Sequence, residues 1–173
     1  TVTAAPASDE TAEAIKSELA EVVAAIDVAG GHGTGLGLVS EVTDWADCQM
    51  AVARTLETFG RLDVLFHNAG KSQRYHGARG VPFWETEPEG WRDVVTTNVV
   101  GPYMMAKAAI PTMLQNGWGR IIITTKNADS QHAEFGGAYG PSKSAVEAQA
   151  LSWAEETVGS GVTVNSLSPG GAV

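Results

Sequence analysis

The sequence predicts an α/β fold built on a parallel sheet. Short apolar segments with strand character alternate with longer segments in which apolar residues recur at helical spacing. The predicted strands are Gly35 to Val42, Leu62 to Phe66, Arg120 to Thr125 and Val162 to Ser168. Strands joined through helices pair in parallel, so their carboxyl ends should share one edge, where ligands of such sheets bind.

Four helices are predicted around these strands, over roughly residues 9–28, 44–60, 86–115 and 139–158. Asp44 is in place to act as the N-cap of the second helix. Thr86 and Glu89 have the spacing of a capping box at the start of the third. Pro102 predicts a kink within that third helix, because proline removes a backbone donor.

Composition favours a single globular domain over residues 1–173. The chain is 43% hydrophobic and carries a formal net charge of −9, which argues against a nucleic-acid partner because phosphates would be repelled. The single cysteine, Cys48, excludes an internal disulfide and suits a reducing cytoplasm, which is the predicted location. No apolar run reaches the length of a membrane span, so no membrane partner is expected.

The histidines, at positions 32, 67, 76 and 132, lack metal-ligand spacing, so no metal site is predicted.

Tyr139 and Lys143 are the most informative pair of residues. They are four positions apart at the start of a predicted helix and therefore share one face. The unperturbed pKa of tyrosine is about 10, and a fixed positive charge beside the ring favours the phenolate. This spacing is common by chance, but in a ligand-binding fold it indicates acid/base chemistry.

This pair is one of six collinear motifs in which the chain resembles the short-chain dehydrogenase/reductase family. They occur in the order and with the spacings of the family, from about residue 9 to the end of the chain. The motifs are Glu41-Val42-Thr43-Asp44, Gly60 to Leu65 with Asn68-Ala69-Gly70, Thr97-Asn98-Val99, Gly119-Arg120-Ile121, Tyr139 to Lys143, and Val164-Asn165 with Pro169-Gly170.

The resemblance implies a Rossmann-like doubly wound sheet and a reaction that interconverts a secondary alcohol and a ketone. Tyr139 would be the general acid/base. Lys143 would favour its deprotonated form and bind the nicotinamide ribose. Asn98 would hold the water of a proton relay.

The resemblance also implies the remaining cofactor contacts. Asn68, Ala69 and Gly70 would line the cofactor, and Glu41 and Val42 would lie near its adenine ring. Two further residues, Pro169 and Gly170, would shape the nicotinamide pocket.

Lys126 is the main departure from the family pattern. The family normally has a serine here, thirteen residues before the tyrosine, which donates to the substrate oxygen. Lysine can donate too, but with a longer arm and a full charge. Two alternatives follow: Thr125 or Ser130 takes the role of the serine, or the protein is a catalytically impaired cofactor-binding or scaffold protein.

A second departure concerns the glycine-rich phosphate turn that follows the family's first strand. The run from Gly31 through Gly35 to Gly37 imitates its spacing, but strand rather than helix is predicted to follow. We therefore interpret this run as the loop after the first helix. The first strand, the phosphate turn and the next helix are expected to lie outside these 173 residues, which would be an incomplete record at both ends.

The cofactor is expected to be NAD or NADP, and the absence of a basic residue in residues 1–8 favours NAD. The expected substrate is a small alcohol or ketone. The basic loop over residues 71–85 either contacts an anionic group or is simply solvated. By the resemblance, helices beginning near Glu89 and Tyr139 would join subunits into a homodimer or homotetramer.

Overall fold

The alternation of strands and helices is confirmed. The structure, a computed structural model, describes residues 1–4, 9–72, 80–132, 134 and 136–169. Its strands are β1 (Val2–Ala4), β2 (Gly37–Val39), β3 (Val64–His67), β4 (Gly119–Thr124) and β5 (Val162–Leu167). Its α-helices are α1 (Asp9–Gly30), α2 (Trp45–Phe59), α3 (Pro88–Val95), α4 (Gly101–Asn116), α5 (Ala128–Gln131) and α6 (Tyr139–Glu156).

The chain forms two compact units, Thr1–Leu62 and Asp63–Val173, each with its own parallel sheet. The α/β class is confirmed, with the difference that the described strands form two hydrogen-bonded sheets, one of two strands and one of three. In the first unit β1 pairs with β2, and α1 connects them. Gly37 lets α1 approach β2 closely, since a Cβ there would lie 3.3 Å from the Cβ of Leu19.

The glycine run after α1 is a loop wrapped around a carboxylate of that helix. The Oδ1 atom of Asp27 accepts the backbone N–H of Thr34 at 3.0 Å and that of Gly35 at 2.8 Å. These bonds, the one from Gly35 foremost, lower the pKa of Asp27. Strand β2 then begins at Gly37, as expected for a connecting loop and not for a phosphate turn, which a helix follows.

Helix α2 begins as predicted. The Asp44 side chain accepts the backbone N–H of Asp47 at 3.0 Å, which satisfies one free donor of the first turn. The helix ends at Gly60, whose φ of 74° is a left-handed conformation that glycine adopts without strain.

The second unit contains the order β3-β4-β5, with Val64 opposite Arg120 and Gly119 opposite Val162. Strand β4 is central, and its Ile121 and Ile123 are each only 1% exposed. Because all three strands are parallel, they end at the same edge. The segments after β3 and β4 therefore meet the first turn of α6.

Two predictions for the third helix need correction. The capping box is wrong: the helix begins at Pro88, and the Thr86 hydroxyl instead donates to the Phe83 carbonyl at 2.8 Å. Proline suits a first turn, where its missing donor costs nothing. Where a kink at Pro102 was predicted, the structure has a π-helical turn over Thr96–Val100, between α3 and α4. Pro102 has no backbone N–H and cannot donate to the carbonyl four residues earlier. Before it, the backbone hydrogen bonds of the helix join residues five apart and not four.

Among the described residues, no helix has both the length and the apolar character required to span a bilayer.

Candidate active site

Tyr139 and Lys143 lie together on α6, as their spacing predicts. Tyr139 is the first residue of the helix, and Lys143 follows one turn later. The Lys143 Nζ atom lies 5.6 Å from the centroid of the Tyr139 ring. The phenol is half-buried, while the lysine side chain is almost entirely enclosed. A buried ammonium therefore faces a phenol that solvent can still reach.

Lys143 is bonded to the end of β4 in two places. Its Nζ donates to the carbonyl of Thr124 at 2.7 Å, and its own carbonyl accepts from the Thr125 hydroxyl at 3.2 Å. Burial lowers the pKa of Lys143, because desolvation disfavours the charged form. The bond to Thr124 uses one of the three ammonium donors, which leaves two for other partners.

Thr125 acts differently from the serine substitute considered in the sequence analysis. Its hydroxyl donates to the main chain of Lys143, and its side chain is buried, at 4% exposure. This contact orients α6. It does not present a donor to a substrate.

Asn98 is buried in the π-helical turn and joins three segments. Its Oδ1 accepts the backbone N–H of Lys71 at 2.7 Å, and its Nδ2 donates to the Lys71 carbonyl at 2.9 Å. The same Nδ2 donates to the Ser142 hydroxyl at 2.9 Å, and Ser142 donates to the carbonyl of Tyr139 at 2.7 Å. The loop after β3 is thereby connected to the first turn of α6.

The segment after β3 lies beside this network. Asn68, Ala69 and Gly70 are exposed, and Asn68 accepts a hydrogen bond from the Thr124 hydroxyl at 3.1 Å. A Cβ on Gly70 would come within 3.2 Å of Asn98 Oδ1 and 3.6 Å of Lys143 Nζ. Glycine therefore keeps open the space next to the ammonium, which the sequence analysis assigned to a cofactor.

His67, at the end of β3, was not predicted as a site residue. It is 5% exposed, and its Nε2 has no hydrogen-bond partner among the described residues. Burial and the nearby Lys143 charge lower its pKa to about 4, so the imidazole is neutral at pH 7. Only its position directly before Asn68-Ala69-Gly70 could have suggested its presence at the site.

Lys126 and Gln131 complete the arrangement. The Lys126 Nζ also lies 5.6 Å from the Tyr139 ring centroid, so two ammonium groups flank the phenol. The Gln131 amide donates to the Lys126 carbonyl at 2.6 Å and to Glu147 Oε2 at 2.8 Å. No motif identified Gln131, the last residue of α5, because a single amide in a short polar segment has no sequence signature.

The remaining predicted site residues belong to other segments of the chain. Glu41 and Val42 belong to the first unit, where Glu41 Oε1 accepts the backbone N–H of Thr43 at 3.0 Å. Pro169 is exposed after β5. Gly170 and the side chain of Ser130 lie outside the described part of the structure.

Of the basic residues in the loop over residues 71–85, only Lys71 lies in the described part of the structure. Its ammonium forms an ion pair with Asp93 at 2.8 Å. The anionic group that this lysine contacts is therefore a side chain of the protein itself. Arg74 and Arg79 lie outside the described residues.

A cavity of about 490 Å³ lies beside the start of α6. Its lining is mainly apolar and aromatic, with an edge-to-face pair of rings 5.2 Å apart between Phe83 and Trp84. Residues on either side of Tyr139, Gly137 and Pro141, also line it. An apolar group could therefore be held near the phenol.

A family model for the short chain dehydrogenases matches residues 4–173. The chain belongs to the short-chain dehydrogenase family.

Curated members of the family support this membership. Acetoacetyl-CoA reductase of Cupriavidus necator is 32% identical over 130 residues, which cover 75% of this chain and 50% of the reductase. A 2,5-dichloro-2,5-cyclohexadiene-1,4-diol dehydrogenase of Sphingobium indicum is 34% identical over 158 residues, which cover 91% of this chain and 60% of that enzyme. The chain thus spans about half of the length of the curated relatives it matches.

Solved structures of short-chain dehydrogenases have the same fold. An NAD⁺-bound xylitol dehydrogenase superimposes with a TM-score of 0.81 at 27% identity, covering 91% of this chain and 59% of the other. A metagenomic short-chain oxidoreductase in complex with NADP gives 0.77 at 26% identity, covering 98% of this chain and 71% of the other. Among the described residues no cluster of three or more His, Cys, Asp or Glu side chains is arranged to hold a metal ion.

Replacement of Asn98 by alanine should loosen the loop after β3. The Lys71 N–H and carbonyl would lose their partners, and an unsatisfied buried polar group costs about 1–3 kcal/mol. We expect a loss of that size in the free energy of unfolding by urea, together with faster hydrogen exchange at the Lys71 amide. Asn116→Ala, at the exposed end of α4, is the matched control. Unchanged exchange at Lys71 in the Asn98 variant would contradict the assigned network.

His67 should make the protein less stable in acid. Its pKa is about 4 in the folded protein and 6.5 in a model peptide, so below pH 6.5 the unfolded chain binds the extra proton first. The free energy of unfolding therefore keeps the full contribution of neutral His67 above pH 6.5 and loses it as the pH falls to about 4. At 1.36 kcal/mol per pH unit, its size is about 3 kcal/mol.

Urea unfolding of wild type and His67→Gln across pH 4–7 tests this. The difference between the two curves should slope in this window, whereas exposed His132→Gln should follow wild type. Parallel curves for wild type and His67→Gln would show that His67 titrates normally.

Proposed function

We propose that the protein is an NAD(P)-dependent oxidoreductase that interconverts a secondary alcohol and a ketone. The observation that carries the proposal is the half-buried Tyr139 phenol with the Lys143 ammonium 5.6 Å from its ring centroid. Both lie on a helix that hydrogen bonds fasten to the end of β4. The names of the relatives, among them a reductase and several dehydrogenases, agree with this class of reaction.

Tyr139 is the proposed general acid/base. In the direction of reduction its phenol donates a proton to the ketone oxygen, and in oxidation the phenolate accepts the proton of the alcohol. The positive charge of Lys143 stabilises the phenolate. Because the lysine is buried and bonded to Thr124, it can act on the phenol without reorganisation during the reaction.

Asn98 has a positioning role in this proposal. Both N–H groups of its amide are used, one by the Lys71 carbonyl and one by Ser142. The side chain can therefore hold the relay water that the family resemblance implied only through its oxygen, as an acceptor. It acts by holding the segment after β3 in a fixed position relative to the first turn of α6.

A nicotinamide dinucleotide fits the space beside Gly70. The two remaining Lys143 donors and the Tyr139 hydroxyl suit the hydroxyl groups of a ribose, and a Cβ on Gly70 would fill this space. When bound, the dinucleotide carries the hydride equivalent of the reaction. Asn68 and Ala69 would line it, and Glu41, Val42, Pro169 and Gly170 would hold its other parts.

NAD is the proposed form of the cofactor. Residues 1–8 contain no lysine or arginine to bind a 2′-phosphate at the end of β1. The solved relatives include both an NAD⁺ and an NADP complex, so kinetics with both cofactors must decide.

We also propose association into a homodimer or homotetramer through α4 and α6. Tyr103 on α4 is 44% exposed and Leu151 on α6 is 71% exposed. A charge at Leu151 would be costly to bury in such an interface. Leu151→Glu should therefore shift sedimentation towards the monomer, and an unchanged sedimentation coefficient would contradict this interface.

Tyr139→Phe should abolish turnover while cofactor binding persists. Removal of a general acid/base costs about 100- to 10,000-fold in rate. We expect a loss of this size in kcat with NADH or NADPH and a panel of ketones, with little change in the titration of cofactor fluorescence. Tyr103→Phe on α4 is the matched control.

Full activity of Tyr139→Phe would refute the assigned acid/base. If the wild type binds NAD(P)H but turns over none of the ketones, the chain is the impaired cofactor-binding or scaffold protein that Lys126 suggested.

A further inference from the structure

Lys126 is a second lysine, besides Lys143, whose ammonium lies near the Tyr139 ring. It lies in the loop after β4, and its Nζ is 5.6 Å from the centroid of the Tyr139 ring, the same distance as that of Lys143. Lys126 is half-buried, whereas Lys143 is almost entirely enclosed. The two ammonium groups therefore differ in access: a substrate that reaches the phenol can also reach Lys126.

We propose that Lys126 binds the carboxylate of the substrate, and that the enzyme selects ketones whose carboxylate lies one or two carbons from the carbonyl. This inference rests on the proposed function. In the reduction, the ketone carbon gains a hydride from the reduced nicotinamide and the ketone oxygen gains the proton of Tyr139. The carboxylate is unchanged and forms only an ion pair with Lys126.

The position of Lys126 is fixed by its backbone. Its carbonyl accepts from the buried Gln131 amide, which is also bonded to Glu147 and Ser144 of α6. Gly140 packs against the same residue, since a Cβ there would overlap the Gln131 carbonyl. The loop with Lys126 and the helix with Tyr139 are thus held together, and a long flexible arm starts from a fixed point.

The two ammonium groups near the phenol have no direct counter-ion in the described part of the structure. Within the described residues, neither Lys126 nor Lys143 forms an ion pair with a carboxylate. The carboxylate of Asp93 pairs with Lys71. His67 adds no charge at neutral pH because its pKa is about 4. A second positive charge beside the phenol would then be offset by an anion on the substrate.

A neutral ketone offers Lys126 only its carbonyl oxygen, which the phenol already contacts. A keto acid offers a second, charged acceptor at short range. Hydrogen bonds between charged groups contribute enough to change affinity by about 10- to 100-fold. The carboxylate would also fix the carbonyl towards Tyr139, because two anchored points restrict the orientation of a small substrate.

The test compares acids with their methyl esters. We would measure kcat/KM for 2-oxobutanoate, 3-oxobutanoate and the methyl ester of each, in wild type, Lys126→Met and Lys126→Arg. The acid-to-ester ratio should fall about 10- to 100-fold in Lys126→Met, mostly through KM, and stay within a few-fold of wild type in Lys126→Arg. Lys107→Met, an exposed lysine of α4, is the matched control and should keep the wild-type ratio.

Two results would overturn the inference while the proposed function stands. One is turnover with no preference for the acids. The other is an equal loss for acid and ester in Lys126→Met, which would mean that Lys126 acts on the ketone oxygen.

Binding without turnover separates the inference from the proposed function. With NAD⁺ present the ketones cannot be reduced, so calorimetric titration of acid and ester into the NAD⁺-saturated protein reports affinity alone. If no ketone is turned over but Lys126→Met removes a preference for binding the acid, the inference stands and the proposed function fails. If wild type binds acid and ester equally, the inference is refuted.

Discussion

The buried amide of Asn98 is the contact on which the site depends. It satisfies both backbone groups of Lys71 and one hydroxyl of α6, so three segments that are distant in sequence share one side chain. An apolar residue there would leave Lys71 without these partners, and a shorter polar one could not reach both sides. The π-helical turn serves this contact, because the wider turn before Pro102 presents Asn98 where α3 passes into α4. The geometry of the helix and the hydrogen bonds of one amide therefore fix the distance between the loop after β3 and the first turn of α6.

A second set of bonds holds α6 from its other side. Lys143 and Thr125 connect the helix with the end of β4, and Gln131 connects it with the loop that follows. All of these partners belong to the second unit, and together they hold the helix that carries the Tyr139 phenol in a frame of short hydrogen bonds. Such a frame favours catalysis by preorganisation, since a proton donor that is already oriented loses little entropy in the transition state. It also explains why glycine is required at position 140, where the carbonyl of Gln131 takes the space of a side chain.

The sequence was sufficient to predict every described strand except β1, most helices and the Tyr139–Lys143 pair, because these depend on local periodicity and on spacing along one helix. It failed at the start of α3, where Thr86 and Glu89 have the right spacing but Pro88 begins the helix, so that Glu87 and not Thr86 is the N-cap. It missed Gln131, Ser142 and His67, since each acquires its role from partners more than ten residues away along the chain. For Thr125 the sequence could offer a hydroxyl, but only the fold shows that this hydroxyl is turned towards the main chain of Lys143. Long-range side-chain contacts of this kind leave no periodic signal.

The charge of the whole chain and the charge of the site have opposite signs, and distance decides which one a ligand experiences. At physiological ionic strength the Debye length is about 8 Å, so acidic groups on remote surfaces are largely screened. Lys126 and Lys143, each 5.6 Å from the Tyr139 ring centroid, act within that length and from a partly desolvated environment. A net charge of −9 therefore does not oppose an anionic dinucleotide or a keto acid at the phenol. A lysine at position 126, where the family has a neutral hydroxyl, therefore changes the electrostatic potential beside Tyr139 far more than it changes the overall charge. The preference among substrates should follow this local potential.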